Sequence, residues 1–126
     1  MSISFKAIAK KNPQSPTEPL RFYASAVSGK NVDIDELAKL IADNSTVSRA
    51  DTYAVIISML EQIMKDLAAG RSVVLGKLGK FSISLHSEGA ATAEELTSAQ
   101  IKKATINYRP GNELKDMLAI LKFEKV

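Results

Sequence analysis

The side chains of this 126-residue chain best able to do chemistry are its seventeen lysines and arginines, set against fourteen carboxylates and a lone histidine. Their chemistry is anion binding, and its commonest macromolecular target is the phosphate backbone of nucleic acid. The position of the charge matters more than the total of +3. Residues 1–30 hold five basic groups and one acidic, residues 31–70 three and seven, and residues 71–126 nine and six, so an acidic middle separates two basic flanks. Other chemistries find no constellation. His86 has no second histidine with which to share a metal or a proton relay. The absence of cysteine removes disulfides, thiolate zinc, iron–sulfur clusters and a thiol nucleophile. Asp33, Asp35, Glu36 and Asp51 cluster in the first turns of expected helices, where capping and the helix dipole account for them. Gly76, Gly79 and Gly111 follow neither the dinucleotide-binding nor the P-loop spacing and read as backbone turn residues. With no nucleophile, base and orienter to assemble, no enzyme, metal, cofactor or small-molecule substrate is expected.

The elements that must carry the cations alternate between two periodicities. Residues 2–11 place Ile3, Phe5, Ala7 and Ala9 opposite Ser4, Lys6 and Lys10, and residues 20–27 alternate again, so a hairpin is predicted across the proline-bearing loop Asn12–Pro19. Asp33 with Glu36 opens a short helix to about Asp43. Ser48 with Asp51 opens a longer one, striped by Tyr53, Ile56, Ile57, Leu60, Met64 and Leu67 and closed by Gly70. That stripe is broader than the short helix can cover, which points to a second copy of the chain. Val73 to Leu85 reads as two strands across Gly76–Gly79, with Phe81 and Tyr108 on inward strand positions as core residues. Residues 88–103 lack strand pattern and are expected to form an exposed, mobile excursion. Thr105–Arg109 returns as a strand, Pro110–Gly111 opens a last helix with Leu114, Met117, Leu118 and Leu121 inward, and Lys122–Val126 is a plain tail. Residues 1–11 hold no apolar run of signal-peptide type and no stretch is long enough to span a bilayer, so neither export by that route nor membrane insertion is expected.

This order of elements resembles the HU and IHF family of bacterial nucleoid proteins, and two segments carry the likeness. Val74-Leu75-Gly76-Lys77-Leu78-Gly79-Lys80-Phe81 looks like the family segment ending Gly-Phe-Gly-x-Phe, with Lys77 at the position of its first glycine. Tyr108-Arg109-Pro110-Gly111-Asn112-Glu113-Leu114-Lys115 looks like its Phe-Lys-Pro-Gly-x-x-Leu-Lys. The resemblance covers about residues 32–121. It implies an α+β fold: a helical hairpin, an antiparallel sheet with a protruding β-ribbon arm, and a C-terminal helix, built as an intertwined homodimer that embraces the minor groove of double-stranded DNA. Lys80 and Arg109 are then phosphate contacts on the outward side of their strands, with Lys77, Lys102, Lys103 and Lys115 as further DNA-binding residues.

By this resemblance the arm spans about residues 87–104, and here the sequence departs from the family. Residues 82–108 contain neither proline nor arginine, and Glu88, Glu94 and Glu95 stand where the family carries basic residues and a proline wedge. Only Leu96 and Ile101 are large enough to wedge between base pairs. Residues 1–30 form a basic extension, distinct from an HU-like domain of residues 31–126. Its Lys6, Lys10, Lys11, Arg21 and Lys30 either contact phosphate or guard an edge strand against aggregation. The resemblance implies a non-enzymatic, low-specificity architectural DNA-binding protein of the bacterial cytoplasm and nucleoid. The alternative is an HU-like dimer turned protein-interaction module.

Overall fold

The computed structural model describes all 126 residues. The element order is β1 (Ile3–Lys10), β2 (Arg21–Ala26), α1 (Ile34–Asp43), α2 (Arg49–Ala68), β3 (Val73–Val74), β4 (Lys80–Ser87), β5 (Ile101–Arg109), α3 (Asn112–Ala119) and β6 (Phe123–Lys125), with 3-10 turns at Gly76–Leu78 and Ser98–Gln100. Two compact units result, one of Met1–Asn31 with Met117–Val126, the other of Val32–Asp116.

In the first unit β1 and β2 pair antiparallel from Phe5↔Ala26 to Lys10↔Arg21, with the prolines confined to the connecting loop where no ladder donor is needed. The C-terminal segment behaves differently from the expected plain tail. Residues 123–125 form β6, which runs parallel to β1 from Ile3↔Phe123 to Phe5↔Lys125, flanked by hydrogen bonds from Ile3 N to the Lys122 carbonyl and from Val126 N to the Phe5 carbonyl. Residues 117–126 therefore group with the hairpin and not with the larger domain, because a parallel partner can come from the far end of the chain. Opposed pairs put Ile3, Phe5, Ala24, Ala26 and Phe123 on one side of this sheet and Ser4, Lys6, Lys10, Arg21 and Tyr23 on the other.

The second unit opens with two capped helices. The Asp33 carboxylate accepts from Glu36 N at 2.9 Å and the Ser48 hydroxyl from Asp51 N at 3.1 Å, each satisfying one backbone donor that a helix start leaves free. At the end of α2, Gly70 adopts φ +81°, Gly70 N bonds the Leu67 carbonyl and Arg71 N the Asp66 carbonyl, which is the paired closure of a Schellman motif. Ala38 of α1 is fully buried, and Thr52 of α2, almost as buried, donates its hydroxyl to the Ser48 carbonyl at 2.8 Å. No apolar side chain of α2 is buried: Ile56, Ile57, Ile63 and Leu67 are half-covered, while Val55 and Met64 are 66% and 71% exposed.

Strands β3, β4 and β5 form an antiparallel sheet in that order. The ladder between β4 and β5 runs from Lys80↔Arg109 to His86↔Lys103, then shifts register before closing on Ser87↔Ile101. The excursion is thus shorter than expected, with residues 101–104 lying in β5. They escape detection by alternation because the bulge at His86/Ser87 breaks the two-residue period. Nor is the tip without structure. Thr97 caps the Ser98–Gln100 turn, receiving a hydrogen bond from Ala99 N while its own backbone N donates to the Gln100 side chain at 2.7 Å, and Glu88 N bonds the Gln100 carbonyl. No helix is long and apolar enough to cross a membrane.

Candidate nucleic-acid interface

The turn between β3 and β4 depends on two glycines. Gly79 takes φ +117°, a conformation L side chains rarely adopt, and a Cβ there would overlap the Arg109 carbonyl oxygen. A Cβ on Gly111 would lie 2.5 Å from the Lys77 carbonyl oxygen. The turn and the junction between β5 and α3 therefore approach backbone to backbone. Tyr108 reinforces the approach: its hydroxyl donates to the Leu78 carbonyl at 2.6 Å, and its ring lies 4.8 Å from that of Phe81, centroid to centroid. The two rings pack on each other, but they are not the core residues that the sequence leads one to expect: Phe81 is half-buried and Tyr108 is 43% exposed, because the rest of the chain leaves this face of the ribbon largely uncovered. Their pairing holds the neighbouring pair, Lys80 and Arg109, directly opposite one another.

Because strand residues alternate sides, the register sorts the ribbon into two faces. Phe81, Ile83, Leu85, Ala104, Ile106 and Tyr108 share one. Lys80, Ser82, Ser84 and His86 of β4 share the other with Arg109, Asn107, Thr105 and Lys103 of β5. Every member of this second set is polar, and cations stand at both ends, about 20 Å apart at the usual rise per strand residue. In the middle, the Ser84 and Thr105 hydroxyls lie 2.8 Å apart, and His86 Nε2 is 3.4 Å from Thr105 Oγ1. A shallow groove lined by Lys80, Ser82, Asn107 and Arg109, and bordered by Ile106 and Tyr108, lies at the Lys80–Arg109 end of the ribbon.

Like charges directly opposite across two strands repel. Lys80 and Arg109 have no carboxylate within ion-pair distance, for the ion pairs of the chain are Arg49–Asp35, Arg71–Asp66 and Lys102–Glu88. Their positive field is therefore turned toward solvent, where an anion would relieve the repulsion. The bulge treats two adjacent lysines differently. Lys103 joins the polar face opposite His86, while Lys102 Nζ is held 2.8 Å from a Glu88 carboxylate oxygen, which offsets its charge. Lys77 lies in the 3-10 turn and Lys115 in α3, both exposed. Lys6 and Lys10 lie on β1 and Lys11 just beyond it, in the other unit. Sequence reasoning did not assign Ser82, Ser84, Thr105 and Asn107 to the site, although their alternation with apolar neighbours carried the signal. Strand pairing was needed to show that they form one surface.

A family model described as HU-HIG, an HU domain fused to a winged helix-turn-helix, Ig or glycine-rich motif, matches residues 1–125. The chain belongs to the HU-HIG family. The match includes the N-terminal hairpin. Among solved structures, this HU-HIG domain is similar to a candidate bacterial DNA-binding protein from Bacteroides vulgatus, with a TM-score of 0.65 and 16% identity. That match covers 100% of this chain and 49% of the other, so the chain spans about half the length of that relative. It is also similar to HU of Anabaena in a cocrystal with DNA, with a TM-score of 0.55 and 17% identity over 70% of this chain and 98% of that one. At such identities the likeness is one of fold, and it corroborates the α+β, HU-like architecture. Among curated proteins, none matches the HU-HIG chain.

Proposed function

We propose that this HU-HIG domain binds double-stranded DNA with little sequence specificity, through phosphates and minor-groove edges, as a non-enzymatic architectural homodimer of the bacterial nucleoid. The observation that carries the reading is the Lys80–Arg109 pair, opposed across two strands without a carboxylate partner, at the end of a wholly polar ribbon face. Lys80, Arg109 and Lys103 supply the phosphate contacts, with Lys77 and Lys115 beside them. Ser82, Asn107, Ser84 and Thr105 offer hydrogen bonds to the minor groove, whose acceptor pattern is degenerate and gives little base discrimination. The HU–DNA cocrystal among the structural neighbours supports the same partner.

The homodimer rests on uncovered area. The chain exposes 10501 Å². By the usual mass scaling a compact protein of this size exposes about 6,600 Å², and even two separate compact bodies of the two units' sizes would expose about 7,800 Å². The excess over the latter, about 2,700 Å² per chain, includes the protruding ribbon and the hairpin loop, which a compact body lacks, and still leaves room for the ~800 Å² per partner of a standard interface. Tyr53, Leu60 and Met64, the members of the α2 stripe left exposed, are the residues of that stripe that need the cover.

The test is a fluorescence anisotropy titration against a random duplex of about 30 base pairs at low and near-physiological salt. Submicromolar binding at low salt that weakens steeply with added salt is expected. No binding at low salt would overturn the reading and favour a protein-interaction module. One observation favours that second reading: the tip of the β4–β5 ribbon carries Glu94 and Glu95 without cation partners, beside an exposed Leu96.

A further inference from the structure

Cations on the N-terminal sheet are not scattered. The register places Lys10 directly opposite Arg21, repeating in the first unit the like-charge arrangement of Lys80 and Arg109 in the second. Lys10, Lys11 and Arg21 line one cleft at the end of the hairpin together with Asn12 and Tyr23, and Glu18 is its single carboxylate. None of these cations makes an ion pair, with Glu18 or any other acid. Lys10 Nζ sits 5.7 Å from the centroid of the Tyr23 ring, a cation–π contact that holds the ammonium over the sheet. Lys6 lies further along the same face.

Charge on an edge strand also discourages aggregation, and β6 covers the outer side of β1 only over Ile3–Phe5. A guard, however, needs charge anywhere along an open edge. It does not need three cations converging on one cleft beside an aromatic ring, with a like-charge repulsion left unrelieved. Such a cleft suits a polyanion whose charges are closely and regularly spaced.

We propose that the basic face of the N-terminal sheet is a second phosphate-binding surface, taking the sugar–phosphate backbone of DNA at Lys10, Lys11 and Arg21, separate from the ribbon surface. The proposal rests on the DNA-binding reading and adds to it an independent contact area.

The experiment uses the full chain with Lys10→Gln, Lys11→Gln and Arg21→Gln combined, beside wild type and a Lys80→Gln/Arg109→Gln variant, on the same duplex over a salt series. Glutamine keeps much of each apolar stem, and circular dichroism with a thermal melt checks the fold. Each lost phosphate contact flattens the slope of log affinity against log salt by about 0.9, so the triple variant is expected to lose two to three units of slope and about tenfold or more in affinity. Loss from the ribbon variant is expected to add to it. A triple variant with unchanged slope and affinity, when wild type binds, overturns this proposal and leaves the ribbon reading standing. If wild type itself does not bind at low salt, both fall. Should the triple variant unfold, Lys11→Gln in the loop and Arg21→Gln at the strand start serve singly; each is expected to cost about one unit of slope, and no loss from either overturns the proposal.

Discussion

The carbonyl oxygen of Arg109 occupies the space that a side chain on Gly79 would need. Gly79 has positive φ as well, so the position is closed to other residues on two independent grounds. This approach, with that of Gly111 to the Lys77 carbonyl, ties the β3–β4 turn to the end of β5 and gathers Lys77, Lys80 and Arg109 around one junction.

Gly79→Ala is therefore expected to cost more than a backbone preference alone, about 3 kcal/mol or more, because the turn must part from β5. Gly76→Ala, at φ +54° with open space around it, should cost only about 1 kcal/mol. Urea unfolding of the two variants checks the contrast, and equal losses would remove the close approach as a stabilising feature.

Arg109→Ala leaves the aromatic pair and the glycine junction in place and removes one cation. Affinity is expected to fall by similar factors on duplexes of different sequence, with the salt slope flattened by about one unit. Anisotropy on three unrelated duplexes measures it; a loss confined to one sequence would show that Arg109 reads bases.

Lys102 and Lys103 are neighbours in sequence but not in role. Lys103→Ala is expected to weaken DNA binding, since Lys103 lies on the polar face. Lys102→Ala should do little, since Glu88 already offsets its charge. Titration of both variants under the same salt decides, and equal effects would contradict the division made by the bulge.

Light scattering at micromolar concentration is expected to give a mass near twice 13.6 kDa. Met64→Glu, on the apolar stripe of α2 and 71% exposed in one copy, should barely disturb a lone chain yet split the dimer. A wild-type monomer would refute the shared core.

The tip of the β4–β5 ribbon, residues 88–100, contains no proline, and its turn is closed by Thr97 and Gln100. Binding without a wedge is expected to bend DNA little. Energy transfer between dyes at the two ends of a bound duplex should change only slightly; a large change would mean that Leu96 or another tip residue opens a base step.

Much of the fold was legible where the determining contacts are local. Asp33 and Ser48 marked both helix starts because a cap acts within three residues of itself. Gly70 marked the end of α2, and alternation marked β1, β2 and most of β4 and β5. The segment 101–104 was missed because a bulge spoils alternation, and β6 because three residues are too few to show a period. For the candidate site, Lys80 and Arg109 stood out through the motifs around them, whereas the serines, threonine and asparagine of the same face did not.

The order and type of the main elements, their caps and turns, the basic flanks and the family likeness were determined by the sequence alone, since each is read from residue types and their spacing along the chain. The tertiary structure decided which side chains meet. Placing Lys80 against Arg109 joins residues 29 positions apart, and placing Ile3 beside Phe123 joins the two ends of the chain. Such pairings are set by packing and backbone hydrogen bonding across a sheet: local alternation assigns a side chain its face, but which residue it meets on the neighbouring strand depends on a register between segments far apart in the chain.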